Sequence, residues 1–422
     1  WKGGWSLSAS AARASAQQGH FVRRLAASSL FMQLGFQATY FVGIIGCATY
    51  VLGTDALGVS ALVFALNVLL VVGGLAAGPA VDRLGPRRTL AATFVAAAAL
   101  GAAGWLLPLG LGLLLVVAAL HGLLLSVGTT AVDAYPRHLT DDPAVLMRAN
   151  SLTNTATGVA VILGPALGAL ITGFASQQAV FAVLALAPLV SLVLVAGLAE
   201  GGKPSEAPGA AHDDADPRGL PALLSDALEG VRITLSHPDL RLLLTVAFLG
   251  FFAYGAFDSL ESLFYRDVLH ASAEWMGWLS MVGGVGATLG SLAVMRVGAR
   301  RLNVRLMCAL LLVTGVGSML YVGTGDVRVV VVGQLVTGLG FGAMGPVRTT
   351  LVQRGCDVAH VGRVIAFMRV GLNSAGVLPL LVAPSLADAF GVQAVLFGAS
   401  SFVAVVAALF VALASPRDGG RR

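Results

Sequence analysis

The stretch Gly78-Pro79-Ala80-Val81-Asp82-Arg83-Leu84-Gly85-Pro86-Arg87-Arg88 lies between two long apolar runs, and its reading decides the fold. Gly and Pro break helices and the charges belong in water, so a turn of this composition reverses the chain at a membrane edge. It returns in weaker form as Met295-Arg296-Val297-Gly298-Ala299-Arg300-Arg301, again between apolar runs. The surrounding chain of 422 residues is 57% hydrophobic and 11% charged, against roughly 25% charged in a soluble domain. With a mean hydropathy of +0.86, this is the composition of a polytopic membrane protein.

A helical span needs about 20 apolar residues to cross the hydrocarbon core. Such runs fall near 27–50, 57–81, 88–107, 109–134, 151–174, 179–198, 241–264, 276–297, 303–323, 328–350, 364–388 and 392–414, which predicts twelve spans. Pro108 and Gly110 divide what would otherwise be one overlong run. An even number of spans puts both termini on one side. Apart from Arg266 and Arg328 outside and Arg369 within a span, the basic residues gather on that side, which the positive-inside rule makes cytoplasmic.

The expected organisation is a disordered cytoplasmic arm over 1–20, a six-helix bundle over 21–199, a cytoplasmic linker over 200–237, a second bundle over 238–415 and a tail over 416–422. Within the linker, 200–219 is rich in Gly, Pro, Ser, Ala and Asp and cannot bury apolar surface. Leu220, Leu223, Leu224, Ala227, Leu228, Val231 and Leu235 then recur at helical spacing, the pattern of an amphipathic helix on the membrane surface. The halves read as duplicated. Besides the two basic turns, Val51-Leu52 in the first outer loop matches Val268-Leu269 in its counterpart.

A charged Gly/Arg turn between the second and third spans of each half of a duplicated chain resembles the signature of the major facilitator superfamily. The resemblance implies an all-α membrane protein of two pseudo-symmetric six-helix bundles that alternate access to cargo bound midway between them. It implies an inner latch of Gly78, Asp82, Arg83, Gly85, Arg87 and Arg88, in which Asp82 holds the start of span eleven and Gly78 admits a close neighbour. Pro86 stands where the family commonly has an Arg bridging to an acidic residue at the inner end of span four, a place filled by Asp133. That bridge falls to Arg83 or Arg87, or is absent. Met295 replaces the Asp in the second copy. Span five carries Gly158, Gly164, Pro165 and Gly168, similar to a pattern associated with antiporters in this family, with ordinary small-residue packing as the plainer reading. The segments around 229–241 and 261–269 resemble the branch that holds drug, macrolide and siderophore exporters. The span-four arginine of many drug and proton antiporters is missing here, and His121 lies about one turn away.

Polar groups at membrane depth are costly, so each is a candidate for substrate or proton binding. His121, Asn67, Gln37 and Asn373 fall near the midplane, and Gln33 shares a helix face with Gln37. His121 reads either as a proton switch or as a neutral imidazole bonded to a neighbouring span. The amides read as interhelical glue or as ligand contacts. Asp258 and Glu261, three residues apart on span seven, read as a proton-coupling pair or as the solvated mouth of a cavity.

His-Glu-x-x-His, a phosphate-binding Gly-Lys loop and metal-spaced Cys pairs are all lacking from the sequence, so no enzyme activity, metal or cofactor is expected. Cys47, Cys308 and Cys356 read as apolar fillers. The net charge of +5 sets topology rather than binding nucleic acid. The expectation is a monomeric secondary transporter of the bacterial inner membrane, exporting a small amphipathic compound against proton entry. The alternatives are an importer or facilitator of a sugar or other polar metabolite, and a non-transporting receptor or assembly factor with the same fold.

Overall fold

The computed structural model describes the backbone of residues 3–138, 140, 142–198, 229, 231–298, 301–356 and 358–413. Their side chains are described except at 3–18, 239, 358–363, 365, 366, 369, 370, 373, 374 and 413. The linker over 200–219, most of the predicted surface helix and the tail over 416–422 lie outside these residues.

Twelve long helices follow one another among the described residues: α1 Gly3–Ala38, α2 Ala56–Leu84, α3 Pro86–Leu106, α4 Leu111–Ala134, α5 Pro143–Phe174, α6 Phe181–Ala196, α7 Pro238–Leu263, α8 Glu274–Met295, α9 Val304–Val322, α10 Val327–Gly355, α11 Val358–Phe390 and α12 Val392–Leu413. Eleven are long and apolar enough to cross a membrane, and α11 contributes the apolar stretch Ala375–Phe390. With most of their backbone groups bonded along the helix, such segments tolerate a medium that offers no water. The chain is an all-α, multi-pass membrane protein.

Local chemistry sets the helix starts. Pro86, Pro143 and Pro238 open α3, α5 and α7, where a missing N–H costs nothing. Asp142 accepts from the Ala144 N–H at 2.9 Å, Asn303 from Leu306 at 2.9 Å and Asp326 from Arg328 at 2.9 Å, capping α5, α9 and α10. The long run divides as the sequence predicts, α3 ending at Leu106 and α4 starting after an extended Gly110.

Two expectations shift. The predicted disordered arm is helical from Gly3 onward, continuing α1 backwards through an Ala-rich stretch of high helix propensity. Helices α5 and α11 begin at Pro143 and Val358, earlier than the apolar runs, because a helix that carries its own hydrogen bonds need not stop where hydrophobicity does. Of the surface helix, Glu229 and 231–236 are described as helical; there Ile233 packs on apolar core, Thr234 is buried and Leu235 is half exposed.

The chain divides into two compact units. Unit 1 comprises 1–53, 62–208 and 273–281, and unit 2 comprises 54–61, 209–272 and 282–422. In unit 1, α1 packs on α5 and α6, and α3 packs on α4 and α6. In unit 2, α7 packs on α11 and α12, and α9 packs on α10 and α12, the same pattern six helices later. Each first helix also loosens at the same end into π-helical turns, Thr39–Ile45 and Cys47–Val51 after α1, and Phe264–Val268 after α7. Left-handed residues follow both: Gly53 at φ +63° and His270 at φ +49°. Polar side chains staple the apolar interior, as where the Ser191 hydroxyl of α6 donates to the Ser28 carbonyl of α1 at 2.9 Å.

Candidate functional site

In unit 2, Asp258, Glu261 and Tyr265 stand at i, i+3 and i+7 and therefore share one face of α7. Asp258 is exposed although it sits well inside a membrane-spanning helix, and Glu261 is half-buried. Glu261 Oε1 is met by two hydroxyls, Tyr265 OH at 2.8 Å and Tyr321 OH of α9 at 2.5 Å. The two tyrosine oxygens are themselves 2.6 Å apart. The Gln334 side chain of α10 lies beside the same carboxyl. Phe257 stacks on the Tyr321 ring and Phe264 meets it edge-on, with centroids at 6.1 and 5.6 Å. A second polar layer links the same three helices: Tyr254 OH lies 2.7 Å from Ser318 Oγ, which lies 3.2 Å from Thr337 Oγ1.

Unit 1 carries a different centre. His121 on α4 is fully buried, its Nε2 3.1 Å from the Phe36 carbonyl, with Phe36 edge-on at 4.9 Å and Tyr40 stacked at 6.3 Å. A carbonyl only accepts, so Nε2 holds the hydrogen, and Nδ1 is left without a hydrogen-bond partner among the described residues. This is the bonding of a neutral imidazole tied to a neighbouring helix. Gln33 is buried with its Oε1 likewise unpartnered among the described residues, whereas Gln37 lies against Gly164 of α5. Asn67 turns back to donate to the Val63 carbonyl of its own helix at 2.9 Å. The Asn373 side chain lies outside the described residues.

The basic turn is built as a sharp reversal. Gly85 at φ +81° adopts a conformation that side-chain-bearing residues rarely enter, and Thr89 Oγ1 donates back to the Gly85 carbonyl at 2.9 Å. Arg87 donates to the Ala196 carbonyl at 2.7 Å and Arg24 to Gly197 at 3.3 Å, so two guanidinium groups neutralise the C-terminal end of α6. Asp82, Arg83, Arg88 and Asp133 are exposed. The close approach expected at Gly78 lies elsewhere: a Cβ there would meet nothing within 4 Å, while one at Gly73 would stand 2.6 Å from the Leu123 carbonyl of α4. In α5, Gly164 and Gly168 face α1, where added Cβ atoms would stand 2.6 Å from Gln37 Cβ and 3.1 Å from Val42 Cβ, and Gly158 faces open space. The Pro165 carbonyl would collide with a side chain at Gly277, which belongs to the 273–281 segment of unit 1. The tight packing expected of this motif is thus made by Gly164, Gly168 and Pro165, and not by Gly158.

Sequence reasoning named the two carboxylates but not their partners. Tyr265 was within reach of the i, i+4 rule from Glu261; Tyr321 and Gln334 come from helices whose rotation no local pattern reveals.

The family model described as Major Facilitator Superfamily matches residues 25–378 and 262–422. The chain belongs to the major facilitator superfamily. It is 30% identical over 335 residues to the multidrug efflux pump Tap of Mycobacterium tuberculosis, covering 76% of each chain. The Tap pump of Mycolicibacterium fortuitum is 28% identical over 353 residues, covering 81% of this chain and 83% of the pump. Among solved structures, the nucleoside transporter NupG superposes with a TM-score of 0.73 at 12% identity, covering 94% of this chain and all of NupG. The xylose transporter XylE from E. coli gives 0.67 at 15% identity, covering 95% and 98%. These two likenesses concern the fold alone. The protein is a membrane transporter and not an enzyme.

Proposed function

We propose that the protein exports small amphipathic compounds from a bacterial cell in exchange for protons, as a monomer in the plasma membrane with its basic turns and both termini on the cytoplasmic side. The observation that carries this reading is the pair Asp258 and Glu261 on one face of α7, with Asp258 exposed at membrane depth. An isolated charge there is expensive, so a carboxylate kept in such a place is one that exchanges a proton or binds a cation. The likeness to Tap pumps supports efflux of drug-like cargo. Moving one proton inward releases about 2.3 kcal/mol per 100 mV, enough to hold a neutral cargo at a gradient of roughly fifty-fold. In this reading Asp82 and the arginines of its turn act as the cytoplasmic gate, and Asp258 takes and gives up the coupling proton.

Purified protein in liposomes, offered a panel of lipophilic amines and macrolides, should move protons when cargo is added and should accumulate cargo uphill against an imposed proton gradient. Asp258→Asn should abolish uphill transport, by a factor of ten or more, and spare downhill equilibration, because an amide holds a hydrogen bond but cannot exchange a proton. Unchanged uphill transport by that variant would remove Asp258 from the mechanism. Cargo movement indifferent to the proton gradient would sink the antiport reading.

A further inference from the structure

The contacts among Glu261 Oε1, Tyr265 OH and Tyr321 OH close a triangle whose three edges are 2.8, 2.5 and 2.6 Å. Each edge is of hydrogen-bond length for an O–H donor, and two oxygens held this close without a hydrogen between them repel. Three edges therefore call for three hydrogens. Each tyrosine hydroxyl supplies one, and an ionised carboxylate supplies none. We infer that this triangle is a proton-binding site in unit 2, in which the third hydrogen resides on Glu261.

The loaded ring is complete in one sense of rotation: Glu261 donates to Tyr321, Tyr321 to Tyr265 and Tyr265 to Glu261. Uptake converts carboxylate to carboxylic acid by adding one proton, and no other bond forms or breaks. Release leaves two hydrogens for three edges, so one contact must lengthen. The ring joins α7, through Glu261 and Tyr265, to α9, through Tyr321, so proton release loosens one helix from the other at this level. Among the described residues, the groups facing it are Asp258 on α7, one turn away, and the Gln334 amide on α10 beside the same carboxyl. Tyr321 and Tyr265 are fully buried, with Phe257 and Phe264 against the Tyr321 ring, while Glu261 is half-buried and Asp258 exposed, so the ring closes off one side of the Glu261 carboxyl. Within the proton-antiport reading, on which its role in transport rests, Glu261 is then the store and Asp258 the point of exchange. The ring chemistry itself does not depend on that reading.

The test is infrared difference spectroscopy on the full chain in detergent or lipid at neutral pH, reading the carbonyl stretch of a protonated carboxyl. The band is expected in the native protein, lost in Glu261→Gln and kept in Asp258→Asn. Tyr321→Phe and Tyr265→Phe each open the ring and should move the band, since its frequency reports the hydrogen bonding of the acid. A band that survives Glu261→Gln, or a native protein without one, overturns the site. A band lost in Glu261→Gln but unmoved by either tyrosine variant overturns the ring. Should Glu261→Gln fail to fold, the two tyrosine variants decide. Liposomes that move cargo without protons would defeat only the transport reading and leave this spectrum as expected.

Discussion

Units 1 and 2 repeat the same order of helix packing, yet their polar centres do not correspond. In the register given by Val51-Leu52 and Val268-Leu269, Glu261 falls opposite Ile44 and Asp258 opposite Phe41, and both of these unit 1 residues are buried and apolar. Unit 1 instead keeps its ionisable group on the fourth helix, as His121 bonded to a backbone carbonyl. The same neighbour relations are thus compatible with an inert interior in one copy and a hydrogen-bonded acid in the other. The helix contacts repeat between the two units, and the hydrogen-bonded acid does not.

The close helix contacts tell the same story with the roles exchanged. The α1–α5 approach depends on Gly164 of α5 facing Gln37 and Ala38, whereas the α7–α11 approach depends on Gly255 of α7, where an added Cβ would stand 2.5 Å from the Gly376 carbonyl oxygen and 2.9 Å from Pro379 Cγ. In the shared register Gly255 stands opposite Ala38. A small residue is needed at the crossing, and either helix can supply it.

Moving the acid is the harshest way to break this comparison. Ile44→Glu would bury a carboxyl among apolar neighbours, without the tyrosines and Gln334 that serve Glu261, at a cost on the order of 3 kcal/mol. The yield of monodisperse protein and its thermal unfolding in detergent should fall sharply; equal stability would mean that unit 1 already contains a polar site there. Next in size, Gly164→Val should lose about 1–3 kcal/mol through overpacking against Gln37 and Ala38. Gly158→Ala, one to two turns earlier in open space, should be within about 0.5 kcal/mol of native. Equal melting temperatures for the two variants would contradict the assigned faces of α5. The smallest effect concerns the paired left-handed residues. Gly53→Ala should cost roughly 1 kcal/mol because its φ of +63° crowds a Cβ, whereas His270→Gly at φ +49° should leave stability unchanged or slightly raised. A destabilised His270→Gly would show that the imidazole contributes more than its backbone strain takes away.

The amino-acid sequence by itself determined the number and approximate limits of the spans, the division at Pro108 and Gly110, the duplication and the family. These follow from one-dimensional quantities, namely hydrophobic run length, breaker residues and the placement of charge. The Asp258 and Glu261 pair was equally legible, since acids in an apolar run stand out wherever the helix points. Tertiary structure alone decided that Gly73 rather than Gly78 takes the close contact, that Asn67 serves its own helix, and that His121 reaches the Phe36 carbonyl. It alone brought Tyr321 and Gln334 to Glu261. The physical reason is rotation about the helix axis. In a span that is apolar all round, hydrophobicity no longer marks which face turns inward, so partners on different helices are fixed by packing and by the hydrogen bonds that packing permits.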